Sequence, residues 1–210
     1  DLGKAITILS GVERDRLQQG YFLQALQIRA GLLANIGGEG NLRVAQQQLL
    51  ILLDEKDTDG SEVSQQETPW RELLKIRERL GDIEGARAAA LTLIELPIIH
   101  DSTRLEALLY LAATSTEGER ERYNQQARDT AEGIGGRAKA RVAYQEGMLA
   151  LDEKRHKAAL VLFDQALLGL DEEGRRSSAR YRKAETLLKL GRAGEARTQL
   201  QALLEDDPEH

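Results

Sequence analysis

The sequence predicts an all-α chain of stacked helical hairpins with no β-sheet, and three observations carry that prediction. A four-point pattern recurs: a glycine, a small alanine five residues on, then apolar residues four and seven beyond the alanine. It reads Gly40/Ala45/Leu49/Leu52, Gly81/Ala86/Ala90/Leu93 and Gly191/Ala196/Leu200/Leu203, with a variant in which Lys154 replaces the glycine before Ala159/Phe163/Ala166. Offsets of four and seven put the side chains on one face of a helix, and a glycine just before them suits a left-handed turn between two helices. Only 3 prolines interrupt the 210 residues, so most segments can run as unbroken helix. With 2 Phe and 1 Trp, the core is left to Leu, Ala and Ile.

Helix by helix, the punctuation is physically sensible. The pattern predicts helices over 3–18, 20–36, 41–54, 67–80, 82–96, 102–114, 117–132, 137–152, 155–169, 175–190 and 193–206. Thr68 is placed to cap a helix with Pro69 at its first position. Pro97 ends the next one, and Asp101 or Ser102 is placed to cap another. Thr116 and Glu119 have capping-box spacing. Gly20/Ala25 also fits the turn pattern, but Gly40/Ala45 follows too soon for both to close full hairpins. Reading 20–36 as a first helix leaves 3–18, with Ala5, Leu9 and Val12 at packing spacing, as the second helix of an upstream hairpin.

The helix preceding each turn has its own pattern. Trp70, Leu73 and Leu74 precede Gly81; Ala143, Gly147 and Ala150 precede Lys154; Arg180, Ala184 and Leu187 precede Gly191. Small residues at Gly147 and Ala184 let neighbouring helices approach closely. The combined pattern resembles the tetratricopeptide repeat, in a divergent, bacterial-type form, most clearly over Trp70–Ala86 and Ala179–Pro208. Arg180 stands where the repeat usually has Trp, and residues 101–134 depart from the pattern. The resemblance implies one domain over 1–210: a right-handed α-α superhelix of about five hairpins plus a leading helix. Because the chain opens at Asp1 rather than Met, it is read as a fragment or mature form of a longer chain.

Composition narrows the function. Net charge is −6 with acids and bases interleaved, and no third of the chain has the basic excess of a nucleic-acid binder. Apolar runs such as Leu49–Leu53 are too short to span a membrane. A soluble protein is expected, with cytoplasm or periplasm left open. The absence of cysteine removes disulfides, thiolate zinc and a cysteine nucleophile.

Candidate chemistry is sparse. Asp57-Thr-Asp59-Gly60 suggests part of a calcium loop, but Gln66 falls where the bidentate Glu should be, so a solvated loop is the better reading. The clusters Gly37-Gly38-Glu39-Gly40 and Gly133-Ile134-Gly135-Gly136 lack a following Lys-Ser/Thr and read as turns, not phosphate cradles. His100, His156 and His210 are scattered, without metal-ligand spacing. Carboxylate pairs such as Glu78/Asp82 and Glu117/Glu121 have no nucleophile or orienting partner. No cofactor, metal or catalytic residue is expected.

What remains is an interaction surface. The resemblance implies that first helices line a concave ligand face, which would carry Arg71, Lys75, Arg141, Tyr144, Met148, Tyr181, Arg182 and Glu185. Bases crowd the start of the last two first helices (Arg137, Lys139 and Arg141, then Arg175, Arg176, Arg180, Arg182 and Lys183). They oppose the helix dipole, so they either neutralise Asp171–Glu173 and neighbouring helix ends or receive an acidic segment. The expected function is a non-enzymatic scaffold or adaptor that binds a protein or peptide, with an acidic segment as one expectation, without direct contact to nucleic acid. The alternative is a sensor or oligomerisation segment of a larger transcription regulator. No asparagine falls where a clamp for chaperone C-termini would need it.

Overall fold

The computed structural model describes residues 2–10, 19–56, 61–171 and 173–206. Among them run eleven α-helices: α1 (Leu2–Ser10), α2 (Gln19–Ile36), α3 (Glu39–Leu53), α4 (Glu67–Arg79), α5 (Ile83–Glu95), α6 (Asp101–Thr114), α7 (Glu117–Ile134), α8 (Gly136–Asp152), α9 (His156–Gly169), α10 (Glu173–Lys189) and α11 (Ala193–Asp206). A short 3-10 turn covers Val63–Gln65, and an isolated antiparallel bridge joins Lys56 to Glu62. No β-strand occurs among the described residues. Asp57–Gly60, Val12, Pro208 and His210 lie outside the described residues, as does the end of the expected first helix.

The chain forms two compact units, Asp1–Ala107 and Leu108–His210. In the first, α2 packs on α3 and α4 on α5, with α3 joining the two hairpins through α4. Gly20 lies inside α2, and α1 packs on α2, so α2 and α3 form a hairpin behind a leading helix as expected. Leu23, Ala30, Leu33, Leu42, Ala45, Leu49, Leu73 and Ile76 close this core. The Trp70 ring packs against it, and its indole N–H donates to the Ser64 carbonyl at 2.8 Å. In the second unit, α8 packs on α9 and α10 on α11, while α7 packs on α8 and α9 on α10. The packing alanines are sealed: Ala45, Ala86 and Ala159 are 0% exposed and Ala196 1%.

Three hairpin turns share one hydrogen-bonding scheme. Gly81, Lys154 and Gly191 have φ of 71°, 59° and 74°. In each, the next residue's N–H reaches back five positions: Asp82 to Arg77 O at 2.9 Å, Arg155 to Ala150 O at 2.8 Å, Arg192 to Leu187 O at 2.9 Å. This is the six-to-one bond of a Schellman cap, which needs a left-handed residue. Lys154 therefore occupies a glycine's place, as the pattern predicts.

The first hairpin corrects the expected turn. Its left-handed residues are Gly37 (φ 74°) and Gly38 (φ 80°), while Gly40 lies inside α3. The Leu42 N–H bonds the Gly38 carbonyl at 3.0 Å, and the Asn41 side chain donates to the Gly37 carbonyl at 2.8 Å. So α3 starts early relative to its packing alanine, yet Ala45, Leu49 and Leu52 keep the buried register. Three caps also differ. Helix α6 opens at Asp101, so Asp101 and Ser102 lie within its first turn, and the Arg104 N–H bonds the His100 carbonyl at 2.9 Å. Helix α4 opens at Glu67, so Thr68 is not its cap and Pro69 sits inside the first turn. Thr116 is the N-cap of α7 by backbone, but its side chain makes no capping bond.

Glu67 instead organises the start of α6. Its carboxylate, 11% exposed, accepts from the His100 backbone N–H at 2.8 Å, from the His100 ring at 2.8 Å and from the Thr103 hydroxyl. Burial alone raises a carboxyl, but here these bonds and the His100 charge prevail and lower Glu67 to about 2.

Candidate functional site

In each unit, the first helices of adjacent hairpins touch: α2 meets α4, and α8 meets α10. In the second unit, small residues let helices pack closely: Gly147 of α8 faces the Phe163 ring of α9 within one hairpin, and Ala184 of α10 is 1% exposed. The residues expected on a ligand face divide between these two surfaces.

In the first unit, a cavity of about 620 Å³ opens between α2 and α4, lined by Gln27, Asn35, Glu72, Lys75, Ile76 and Arg79 among others. Lys75 thus borders a real opening. Its ammonium lies 4.0 Å from Glu72, whose carboxylate is also 3.7 Å from Arg71; Glu67 lies 3.7 Å from the same Arg71. Arg79 donates to the Ala34 carbonyl at 2.6 Å, closing the last turn of α2. Arg71 and Lys75 are therefore held by local carboxylates, a pairing that spacings of three and four residues favour.

In the second unit, Tyr144 and Met148 on α8 are half-buried against Ala150, Ala159 and Phe163. The Tyr144 and Phe163 ring centres lie 6.1 Å apart at 56°. On α10, Tyr181 is 51% exposed, and the Arg182 guanidinium stands 5.6 Å from its ring centre. Arg182 donates to Glu185 at 2.9 Å. That bond holds its guanidinium above the usual arginine range against partial burial, with Tyr144 and Tyr181 acting in the same direction. The structure thus brings Tyr144, Tyr181, Arg182 and Glu185 into one neighbourhood. Arg141, half-buried, lies one helical turn before Tyr144 on α8.

Part of the basic excess is neutralised by carboxylates on or beside neighbouring helices. Lys139 pairs with Glu132 in the last turn of α7 at 2.5 Å, Arg137 pairs with Asp171, and Lys183 pairs with Asp164 of α9 at 2.7 Å. Sequence reasoning missed a different region altogether: an Arg and Glu network on α7 and α8, where Arg128 joins Glu121 at 2.6 Å and also Glu146. Its members are spread over two helices, so only the packing of α7 on α8 brings them together.

No group of three or more His, Asp or Glu able to hold a metal occurs among the described residues. None of the described helices is long and apolar enough to cross a membrane.

Residues 150–210 match the family model of the tetratricopeptide repeat. No curated protein matches the chain in sequence. Among solved structures, TTC0263, a thermophilic TPR protein of Thermus thermophilus, is similar at 22% identity, with 89% of this chain and 92% of that one covered and a TM-score of 0.59. YrrB, a TPR protein with an unusual peptide-binding site, is similar at 15% identity, with 100% and 93% covered and a TM-score of 0.54. BtubC from P. vanneervenii is similar at 15% identity, with 98% and 87% covered and a TM-score of 0.63.

Proposed function

We propose that this chain is a scaffold that binds a protein or peptide on the surface of its first helices, because it has the tetratricopeptide-repeat fold and its residues 150–210 match that repeat in sequence. The observation that carries this reading is the group on α8 and α10. Tyr181 is half-exposed, Arg182 lies over its ring, and Tyr144 is close by. Aromatic rings and guanidinium groups are the side chains that dominate binding energy at interfaces, because they bury large areas with little loss of freedom.

The partner segment is acidic and partly apolar. Arg182 uses one nitrogen on Glu185, which leaves the rest of its planar fork for an incoming carboxylate. Arg71 and Lys75 share Glu72 instead, so the acidic stretch is assigned to the α8 and α10 surface. YrrB, which shares the fold, is described as having a peptide-binding site, and that supports a peptide as the ligand class.

The test is site-specific photo-crosslinking. A benzophenone side chain at Tyr181 should capture a partner in native lysate; the same group at Leu168, 90% exposed on α9, should not. Equal capture at both positions, or capture at Leu168 alone, refutes the assignment.

A further inference from the structure

Glu185 lies on the α8 and α10 surface, yet it carries the same charge as the acidic segment assigned there. An acid at that place repels such a segment, so its presence calls for a reason. Its bond to Arg182 supplies one.

Arg182 and Glu185 are one turn apart on α10, with side chains 38% and 33% exposed. The Arg182 Nη1 donates to the Glu185 carboxylate at 2.9 Å, and the guanidinium carbon stands 5.6 Å from the Tyr181 ring centre. Arg182 Nε and Nη2 have no partner among the described residues, and neither is sealed from solvent. Arg71, Arg77 and Arg120 differ: in each, Nε is buried without a hydrogen bond, out of reach of an incoming group. The Nε and Nη2 edge of a guanidinium is a fork that meets a carboxylate with two parallel hydrogen bonds. Arg182 keeps that edge open.

The backbone beneath the pair is anchored. Lys183 pairs with Asp164 of α9 at 2.7 Å, and the hydroxyl of Thr186, a residue 0% exposed, donates to the Arg182 carbonyl at 2.7 Å. What remains free is the arginine side chain, which has much rotamer entropy to lose on binding. A ring contact alone restrains it weakly at an exposed site. The bond to Glu185 removes that freedom before a partner arrives, and such preorganisation raises affinity. Repulsion between Glu185 and the incoming acid works the other way. It is weak here, because the guanidinium lies between the two carboxylates and both side chains face solvent, where charges are screened. Positioning outweighs repulsion.

We propose that Glu185 is the positioning residue of this surface: it holds Arg182 by Nη1 and so presents Nε and Nη2 as a ready fork for a carboxylate of the partner. The assignment rests on the scaffold reading given above.

The probe is a synthetic peptide copied from the fragment crosslinked at Tyr181, and its affinity is measured for the full native chain and two variants. Glu185→Ala removes the acceptor, whereas Glu185→Gln keeps an acceptor oxygen and removes the charge. Glu185→Gln should bind at least as tightly as the native chain, and Glu185→Ala more weakly by about fivefold or more. In the free chains, nitrogen-15 relaxation of the Arg182 Nε–H should show an ordered side chain in the native protein and in Glu185→Gln. In Glu185→Ala it should show a mobile one. Binding by Glu185→Ala as tight as that of the native chain, or tighter, would overturn the proposal and make Glu185 a repelling neighbour. So would equal losses in both variants, or an Arg182 equally mobile in all three chains. Any of these results, obtained with a peptide that binds the native chain, sinks the role of Glu185 and leaves the surface standing. If Tyr181 captures no fragment, or Leu168 captures as well, the surface itself is wrong and the assignment of Glu185 falls with it.

Discussion

Gly147 lies so close to the ring of Phe163 that a Cβ added to it would come within 2.8 Å of the ring carbon Cε1. The pair fixes how near α8 can come to α9, and through α8 it sets the position of Tyr144, which packs on the same ring.

Gly147→Ala should therefore destabilise the chain by about 1 kcal/mol, because overpacking of about 1–3 kcal/mol exceeds the helix-propensity gain of about 1 kcal/mol. Gly31, in the interior of α2, has nothing within 4 Å of an added Cβ. Gly31→Ala should stabilise by about 0.5–1 kcal/mol. Denaturant melts of both variants check the pair, and equal effects of one sign would contradict the packing described.

Lys154 holds φ of 59° where the equivalent turns use Gly81 and Gly191. A left-handed conformation costs an L-residue about 1–2 kcal/mol, part of which glycine gives back through its looser unfolded state. Lys154→Gly should gain about 0.5–1 kcal/mol in the same melts. A loss would mean that the lysine side chain holds the turn.

Glu67 gives stability a defined dependence on pH. Its folded pKa, about 2, lies below the ordinary glutamate value of 4.5. The contribution is therefore complete above about pH 4.5 and is lost as pH falls through 2. Hydrogen bonds to a charged group contribute about 1.5–3 kcal/mol, so Glu67→Ala should cost about that much at neutral pH. Melts from about pH 6 to about pH 2 should fall less steeply for Glu67→Gln than for the wild type. Parallel curves would remove Glu67 from its role at the start of α6.

Much of this was legible from residue spacing. The alanines Ala45, Ala86, Ala159 and Ala196 declared the second helices, and Lys154 was recognisable as a glycine substitute, because both follow from one helical turn repeated at fixed offsets. Turn chemistry was less legible where two glycine sets competed: Gly40 matched the offset, but Gly37 and Gly38 precede it and take the turn. Caps failed for a different reason. Thr68 and Thr116 had the right residue type, whereas the start of α6 depends on Glu67, 33 residues before His100. The same limit hid the Arg128 network. Arg128, Glu121 and Glu146 look like ordinary surface residues until α7 packs on α8.

Binding at the first-helix surface draws on charge as well as shape. Exposed charges attract over about 8–10 Å at ordinary ionic strength, so partner binding should weaken as salt rises. The most direct measurement is the affinity of the partner captured at Tyr181 for the Arg141→Glu and Arg182→Glu double variant at low salt. At least a tenfold loss, with the helical circular dichroism signal unchanged, is the expected result. Binding as tight as that of the native chain would contradict the account and leave Arg141 and Arg182 with structural roles alone.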